Sequence, residues 1–308
     1  MSDAPAVDTS VAVGAVELPN PVIAASGTFG YGTEFAGLVD LGTLGAISVK
    51  GLSLAPYAGK PAPRLVETPG GMLNAIGLQN IGVDAFLRDR LPALAAAGAR
   101  VVANFWGDDA EEFGACAARL DGAPGLVALE LNASSPNRPE WGGILATDPR
   151  ALAAIVRAVR PRVRLPLWVK LSPNVADLRE VGMAAEAEGA DALCAINTLR
   201  GMAVDLATRR PRLAVGTGGL SGPAIKPVAL RMVHELARAV RVPVIGIGGI
   251  RTGEDALEFL CCGARAVQVG TATFYDPTAP ARIAREMARW CGAHGVRAVR
   301  DVIGTLGR

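Results

Sequence analysis

Lysine, asparagine and serine recur at the ends of short apolar, β-branched runs in this chain. They are Ser26 after VIAA, Lys50 after AISV, Asn104 in VVANF, and Asn132 with Ser134-Ser135 after LVALEL. Lys170 with Ser172 in LWVKLS and Asn197-Thr198 after ALCAI complete the set. An ammonium pairs with carboxylate or phosphate, and an amide both donates and accepts, so such a set suits an anionic, hydrogen-bonding ligand. Left unpaired inside apolar strands the same residues would be costly. Two further runs close in glycine, at Gly248-Gly249 and at Gly270 beside Thr271. Glycine lets a backbone approach a ligand closely, and free amides ahead of a helix favour an anion. The stretch GIGGIRTGEDA carries arginine at 251, where the dinucleotide pattern G-x-G-x-x-G would need glycine, so it reads as a phosphate loop of another kind. GGLSGPAIKP, residues 218–227, reads as a second glycine-rich turn opening a helix, with Gly222 able to approach a ring or phosphate.

Other chemistries find little support. His234 and His294 sit in helical patterns without the spacing of a zinc helix, and no Ser–His–Asp set emerges. The five cysteines, Cys116, Cys194, Cys261, Cys262 and Cys291, are odd in number and form no C-x-x-C. They read as free thiols and offer neither a metal site nor the clustered ligands of an iron–sulfur centre.

The elements that must hold these residues repeat with a regular beat. Strands are predicted near 22–27, 46–51, 100–107, 126–133, 165–172, 192–198, 242–249 and 266–271. Helical patterns lie at 148–160, 176–188, 225–239, 252–262 and 278–292. Thr252-x-x-Asp255 reads as a capping box and Gly263 as the glycine that ends that helix. Eight strand–helix beats predict a (β/α)8 TIM barrel, whose active sites lie at the C-terminal ends of the strands. An open doubly wound sheet alternates in the same way, so periodicity alone leaves it open. No linker divides the chain, so residues 1–308 are expected to form one domain. The longest connection, 52–83, is expected to make an excursion over the barrel mouth.

Half of the 308 residues are apolar, 19% are charged, and the net charge is +2 with both signs dispersed. That balance argues against a nucleic-acid partner. The N-terminus does not read as a signal peptide, and no apolar stretch approaches the ~20 residues of a membrane span. A cytoplasmic protein is expected.

NPVIAASGTFGYG, the VKG after the second strand, ETPGGMLNAIGLQN, ELNASSPN, VKLSPN, INT, GGLSGPAIKP and IGIGGI followed by VGTATF resemble, in order, the class 1 dihydroorotate dehydrogenases. The likeness runs over nearly the whole chain, and MLNAIGLQN and GGLSGPAIKP are similar to the NAD-linked heteromeric subclass. The resemblance implies FMN contacts at Ser26, Lys50, Gly51, Asn104, Asn132, Lys170, Ile196, Gly222, Gly248, Gly249, Gly270 and Thr271. It implies substrate contacts at Lys50, Asn74, Ala75, Ile76, Gly77, Leu78, Asn132, Asn197 and Thr198. The implied reaction, a step of de novo pyrimidine (UMP) biosynthesis, converts dihydroorotate to orotate: a base removes the C5 proton and a hydride leaves C6 for the flavin. Lys170 would set a positive charge against the electron-rich edge of that flavin, and Lys50 would meet the substrate carboxylate. Implied partners are a second copy, forming a homodimeric core, and an electron-transfer subunit with FAD and a [2Fe–2S] cluster.

One departure stands out. The soluble class carries cysteine as its base where this chain has Ser135, although the membrane-associated class and some soluble members use serine. A thiol titrates near ~8.5, whereas a serine hydroxyl needs help from a neighbour or water. The catalytic set expected here is Ser135, Lys50 and Lys170. The segment that follows, NRPEWGG, reads as a lid with Gly142-Gly143 as hinge and Trp141 as cover. Alternatives are a dihydropyrimidine dehydrogenase-like flavoenzyme for uracil or thymine, a non-redox phosphate-binding barrel, and an inactive flavin-retaining protein.

Overall fold

The computed structural model of the protein describes residues 7–137 and 144–307. Its centre is a closed barrel of eight parallel strands: Val22–Ala24, Ala46–Ser48, Val101–Phe105, Leu126–Leu131, Leu167–Lys170, Ala192–Ala195, Val244–Ile247 and Ala266–Val269. Each strand pairs with the next in sequence, and the eighth pairs with the first through Val269 and Ala24. The barrel thus decides against the open sheet. The expected strands all form, shortened because their polar last residues leave the hydrogen-bonded ladder to face the mouth.

Helices pack around the outside for the reasons the sequence offers. In Pro149–Val159 the buried residues Leu152, Ile155, Val156 and Val159 recur at helical spacing. Asp148 caps that helix by accepting from the amide of Arg150 at 2.8 Å. The capping box of Gly253–Cys261 forms as read, with Thr252 and Asp255 satisfying each other's amides. Only short 3₁₀ turns, at 33–35 and 41–43, follow the first strand in place of a helix.

Two apolar layers result. One lies between strands and helices. The other fills the lower barrel interior with Ile23, Ala46, Val102, Ala128, Trp168, Ala192, Ile245 and Ala266. An antiparallel hairpin, Val11–Val13 with Val16–Leu18, packs onto this inner layer and plugs the barrel at the N-terminal ends of its strands.

Over the opposite mouth stands a four-stranded antiparallel sheet, ordered Leu199–Met202, Thr217–Ser221, Gly71–Asn74, Leu65–Thr68. The expected 52–83 excursion supplies half of it. The other half comes from the connection after the sixth barrel strand. Residues 217–221, expected as part of a turn, are a strand instead: Gly219, Leu220 and Ser221 pair with Asn74, Leu73 and Met72. Leu73, Ala75, Val66 and Leu213 make a small core beneath this sheet. Apart from Asn137, the expected lid at 137–143 falls outside the described residues.

Candidate active site

The C-terminal ends of the barrel strands and the inner edge of the excursion sheet enclose a cavity of about 850 Å³. That volume lies at the upper end of ligand pockets, enough for a cofactor and a small substrate together. Ser26, Lys50, Gly51, Asn74, Ile76, Gly77, Leu78, Asn132, Ser135, Lys170, Ile196, Asn197 and Thr198 all line it, as do Gly222, Gly248, Gly249, Gly270 and Thr271. Residues scattered over 245 positions of sequence therefore meet at one place. Two expected residues stand back from the lining. Ala75 belongs to the small core under the excursion sheet. Asn104 is fully buried behind Asn132, whose Nδ2 donates to its Oδ1 at 3.2 Å.

The polar side of the cavity is a chain of amides and hydroxyls. Asn197 Nδ2 donates to Ser134 Oγ at 2.9 Å, and Ser134 Oγ donates to Asn132 Oδ1 at 3.2 Å. Asn137 Nδ2 reaches the Asn74 carbonyl at 3.3 Å, and Asn74 Nδ2 donates to the Gly219 carbonyl at 3.2 Å. Ser135 thus lies in a loop tied to the excursion sheet. Its Oγ is buried and accepts the amide of Asn137 at 3.3 Å. Among the described residues no side chain hydrogen-bonds to that oxygen to take up its proton.

The charged lining residues are Lys50, Lys170 and Arg251, with no carboxylate among them. Burial pulls the Lys50 ammonium down to about 8, and the positive charges of Arg64 and Lys170 add to that effect. Lys170 faces Glu130, whose Oε1 stands 3.8 Å from its Nζ. Glu130 itself is fully buried and was not anticipated as a site residue, although a lone acid inside LVALEL was a signal for it.

The glycine turns form one end of the cavity. Gly249 has φ +78°, and a Cβ there would stand 2.7 Å from Lys226 Cβ; Gly222 has φ +99°, and a Cβ would stand 2.7 Å from Gly71 Cα. Only glycine lets these two segments pass so close while presenting backbone to the cavity. The sequence pointed to an anion site at the glycine turns after strands seven and eight, and Gly248, Gly249, Gly270 and Thr271 of those turns all line the cavity. The first amides of the helix after strand seven are already taken: Asp255 accepts from Arg251 and Thr252, and Glu286 accepts from Gly253. The short helix Ala272–Tyr275 follows strand eight at the cavity, with Thr271 Oγ1 donating to Ser221 Oγ at 2.8 Å beside it. The amides of Thr273 and Phe274 in it donate to the carbonyls of Gly270 and Thr271. Tyr57, which packs edge-on to Trp106, and Tyr275 add aromatic walls that no local sequence signal announces.

No group of three or more His, Cys, Asp or Glu that could hold a metal ion exists among the described residues. No described helix is long and apolar enough to cross a membrane.

Comparison with known proteins agrees with this geometry. The sequence profile of the dihydroorotate dehydrogenase family matches residues 9–290. A protein of Geobacter sp. (strain M21), named dihydroorotate dehydrogenase B (NAD(+)), catalytic subunit, is 56% identical over 97% of this chain and 98% of its own length. Proteins of the same name from Geobacter sulfurreducens and Pelobacter propionicus are 56% and 54% identical over the same shares.

Proposed function

The chain belongs to the dihydroorotate dehydrogenase family, FMN-dependent oxidoreductases, and we propose how its residues divide the oxidation of dihydroorotate to orotate among themselves. The observation that carries this division is the convergence of Ser135, two lysines, three amide side chains and a glycine cradle on one cavity. These residues fit a flavin mononucleotide: a backbone-lined anion end at Gly249 and Thr271, and an apolar slot leading to Lys170. Gly248, Gly270 and Gly222 would hold its phosphate, while Ser26, Gly51, Ile196 and Asn132 would hold its ring. When bound, FMN supplies a two-electron acceptor for the hydride that leaves C6 of the substrate.

The protein does the rest by placement. Lys50 pairs with the substrate carboxylate, and Asn74, Asn132 and Asn197 meet the cyclic imide, where each amide both donates and accepts. Thr198 and the loop through Ile76, Gly77 and Leu78 close over the opposite side. Ser135 Oγ takes the C5 proton as its own hydroxyl proton passes to water, and the Asn137 amide that donates to this oxygen stabilises the negative charge developing on it. Proton and hydride leave adjacent carbons, and the electron pair of the C5–H bond forms the C5=C6 double bond. A separate subunit with FAD and a [2Fe–2S] cluster would be the partner that links this chain to NAD, and the barrels would pair as a homodimer in the cytoplasm.

Anaerobic mixing of the FMN-loaded protein with dihydroorotate is expected to bleach the flavin absorbance. Bleaching with dihydrouracil and not with dihydroorotate would overturn the substrate assignment, and a protein that takes up no FMN would overturn the flavin site.

A further inference from the structure

Glu130 is a buried carboxylate that the division of labour above leaves without a task. Side chains from four other barrel strands converge on its two oxygens. Ser48 Oγ donates to Oε1 at 3.1 Å, Asn104 Nδ2 donates to the same oxygen at 2.5 Å, and Gln268 Nε2 donates to Oε2. Lys170 Nζ completes the set at 3.8 Å. Contacts from strands two, three, five and eight place this carboxylate inside the barrel, directly under the cavity floor that Lys170 and Asn132 form. Both residues of the ion pair are nearly inaccessible, Glu130 at 0% and Lys170 at 5% exposed.

A buried ammonium needs an anion, and breaking such a pair from one side is far more damaging than removing both partners. Glu130 is the only carboxylate paired with Lys170 among the described residues, and Lys50, whose charge also acts on Lys170, is of like sign. Glu130 also anchors Asn104, which in turn accepts from Asn132. One carboxylate thereby fixes a cation and an amide of the cavity floor.

We propose that Glu130 is a positioning residue that holds the Lys170 ammonium aimed at the flavin, and so sets how readily that flavin accepts electrons. The inference rests on the flavin reading above. Deprived of Glu130, the Lys170 ammonium swings away from the ring, and the positive charge that favours reduced flavin is lost there. Glu130 acts through Lys170, so its effect vanishes where Lys170 is absent.

The test is the midpoint potential of the FMN-loaded full chain, read by dye-equilibrated reductive titration. The set is the parent, Glu130→Gln, Lys170→Gln and the double variant. The expected result is a lower potential for Glu130→Gln, approaching that of Lys170→Gln, with the double variant equal to Lys170→Gln alone. A Glu130→Gln potential equal to or above the parent's overturns the inference, as does a further shift in the double variant. Should Glu130→Gln fail to fold, the double variant buries no lone charge, and its comparison with Lys170→Gln alone decides by the same equality. Failure of the parent to load FMN overturns the flavin reading and the inference together. Loading with the wrong pattern of potentials overturns the inference alone.

Discussion

At position 135 a hydroxyl stands where the soluble class carries a thiol, and its one hydrogen bond among the described residues comes from an amide donor, Asn137, not from a base. Ser135→Ala is expected to slow flavin reduction by dihydroorotate by about 10²–10⁴-fold, the usual worth of general-base catalysis. FMN binding should be unchanged, and anaerobic stopped-flow reads both. Ser135→Cys is expected to speed the same step near neutral pH, since a thiol titrating near ~8.5 is partly ionised there. Lys50 adds a second pH dependence. Burial holds it at about 8, so it is charged below that pH and pairs with the substrate carboxylate. As pH rises through 8 the pair is lost, and KM for dihydroorotate is expected to climb while a neutral inhibitor's affinity does not. Its contribution to stability runs the other way. The depressed folded value means that the unfolded chain binds more protons between about 8 and the ordinary 10.5, so this contribution is present above that window and lost as pH falls through 8.

Gly249 belongs to the scale of the element, because the turn after strand seven depends on it. Gly249→Ala must place a Cβ against Lys226 at a φ of +78°, a strain of about 1–3 kcal/mol. FMN affinity, read by quenching of flavin fluorescence, is expected to fall sharply while the far-ultraviolet dichroism of the barrel persists. At this scale the sequence was legible where signals are local. Helix 149–159 announces itself through Asp148, Pro149 and apolar spacing, and the capping box at Thr252 through four residues. Strand pairing is not local. Nothing within 217–221 says that Leu220 will meet Leu73, some 150 positions earlier, so a strand there reads as a glycine-rich turn. The partners of the helix after strand seven are likewise not local: Asp255 and Glu286 take up its first amides, and Glu286 arrives from a different helix. The site residues themselves were legible because a barrel gathers all strand ends on one face. Glu130 was missed because its partners come from strands two, three, five and eight.

For the whole molecule the question is where the electrons go after the flavin. The described residues enclose one large cavity, and its two ends are assigned to phosphate and to pyrimidine. The chain's relatives carry the name of the catalytic subunit of dihydroorotate dehydrogenase B (NAD(+)), and the reading proposed above takes the electrons to a separate subunit. The isolated FMN-loaded chain is therefore expected to bleach on dihydroorotate and stay bleached when NAD or fumarate is added. Adding a small redox dye should restore the absorbance within the mixing time of the experiment. Adding a purified subunit with FAD and a [2Fe–2S] cluster should make NAD competent, with NADH appearing in proportion to dihydroorotate consumed. Rapid reoxidation of the isolated chain by NAD would place the acceptor site on the barrel itself and remove the need for a partner. Reoxidation by fumarate would instead show that product and acceptor share the pyrimidine end, with Lys50 meeting the carboxylate of each in turn.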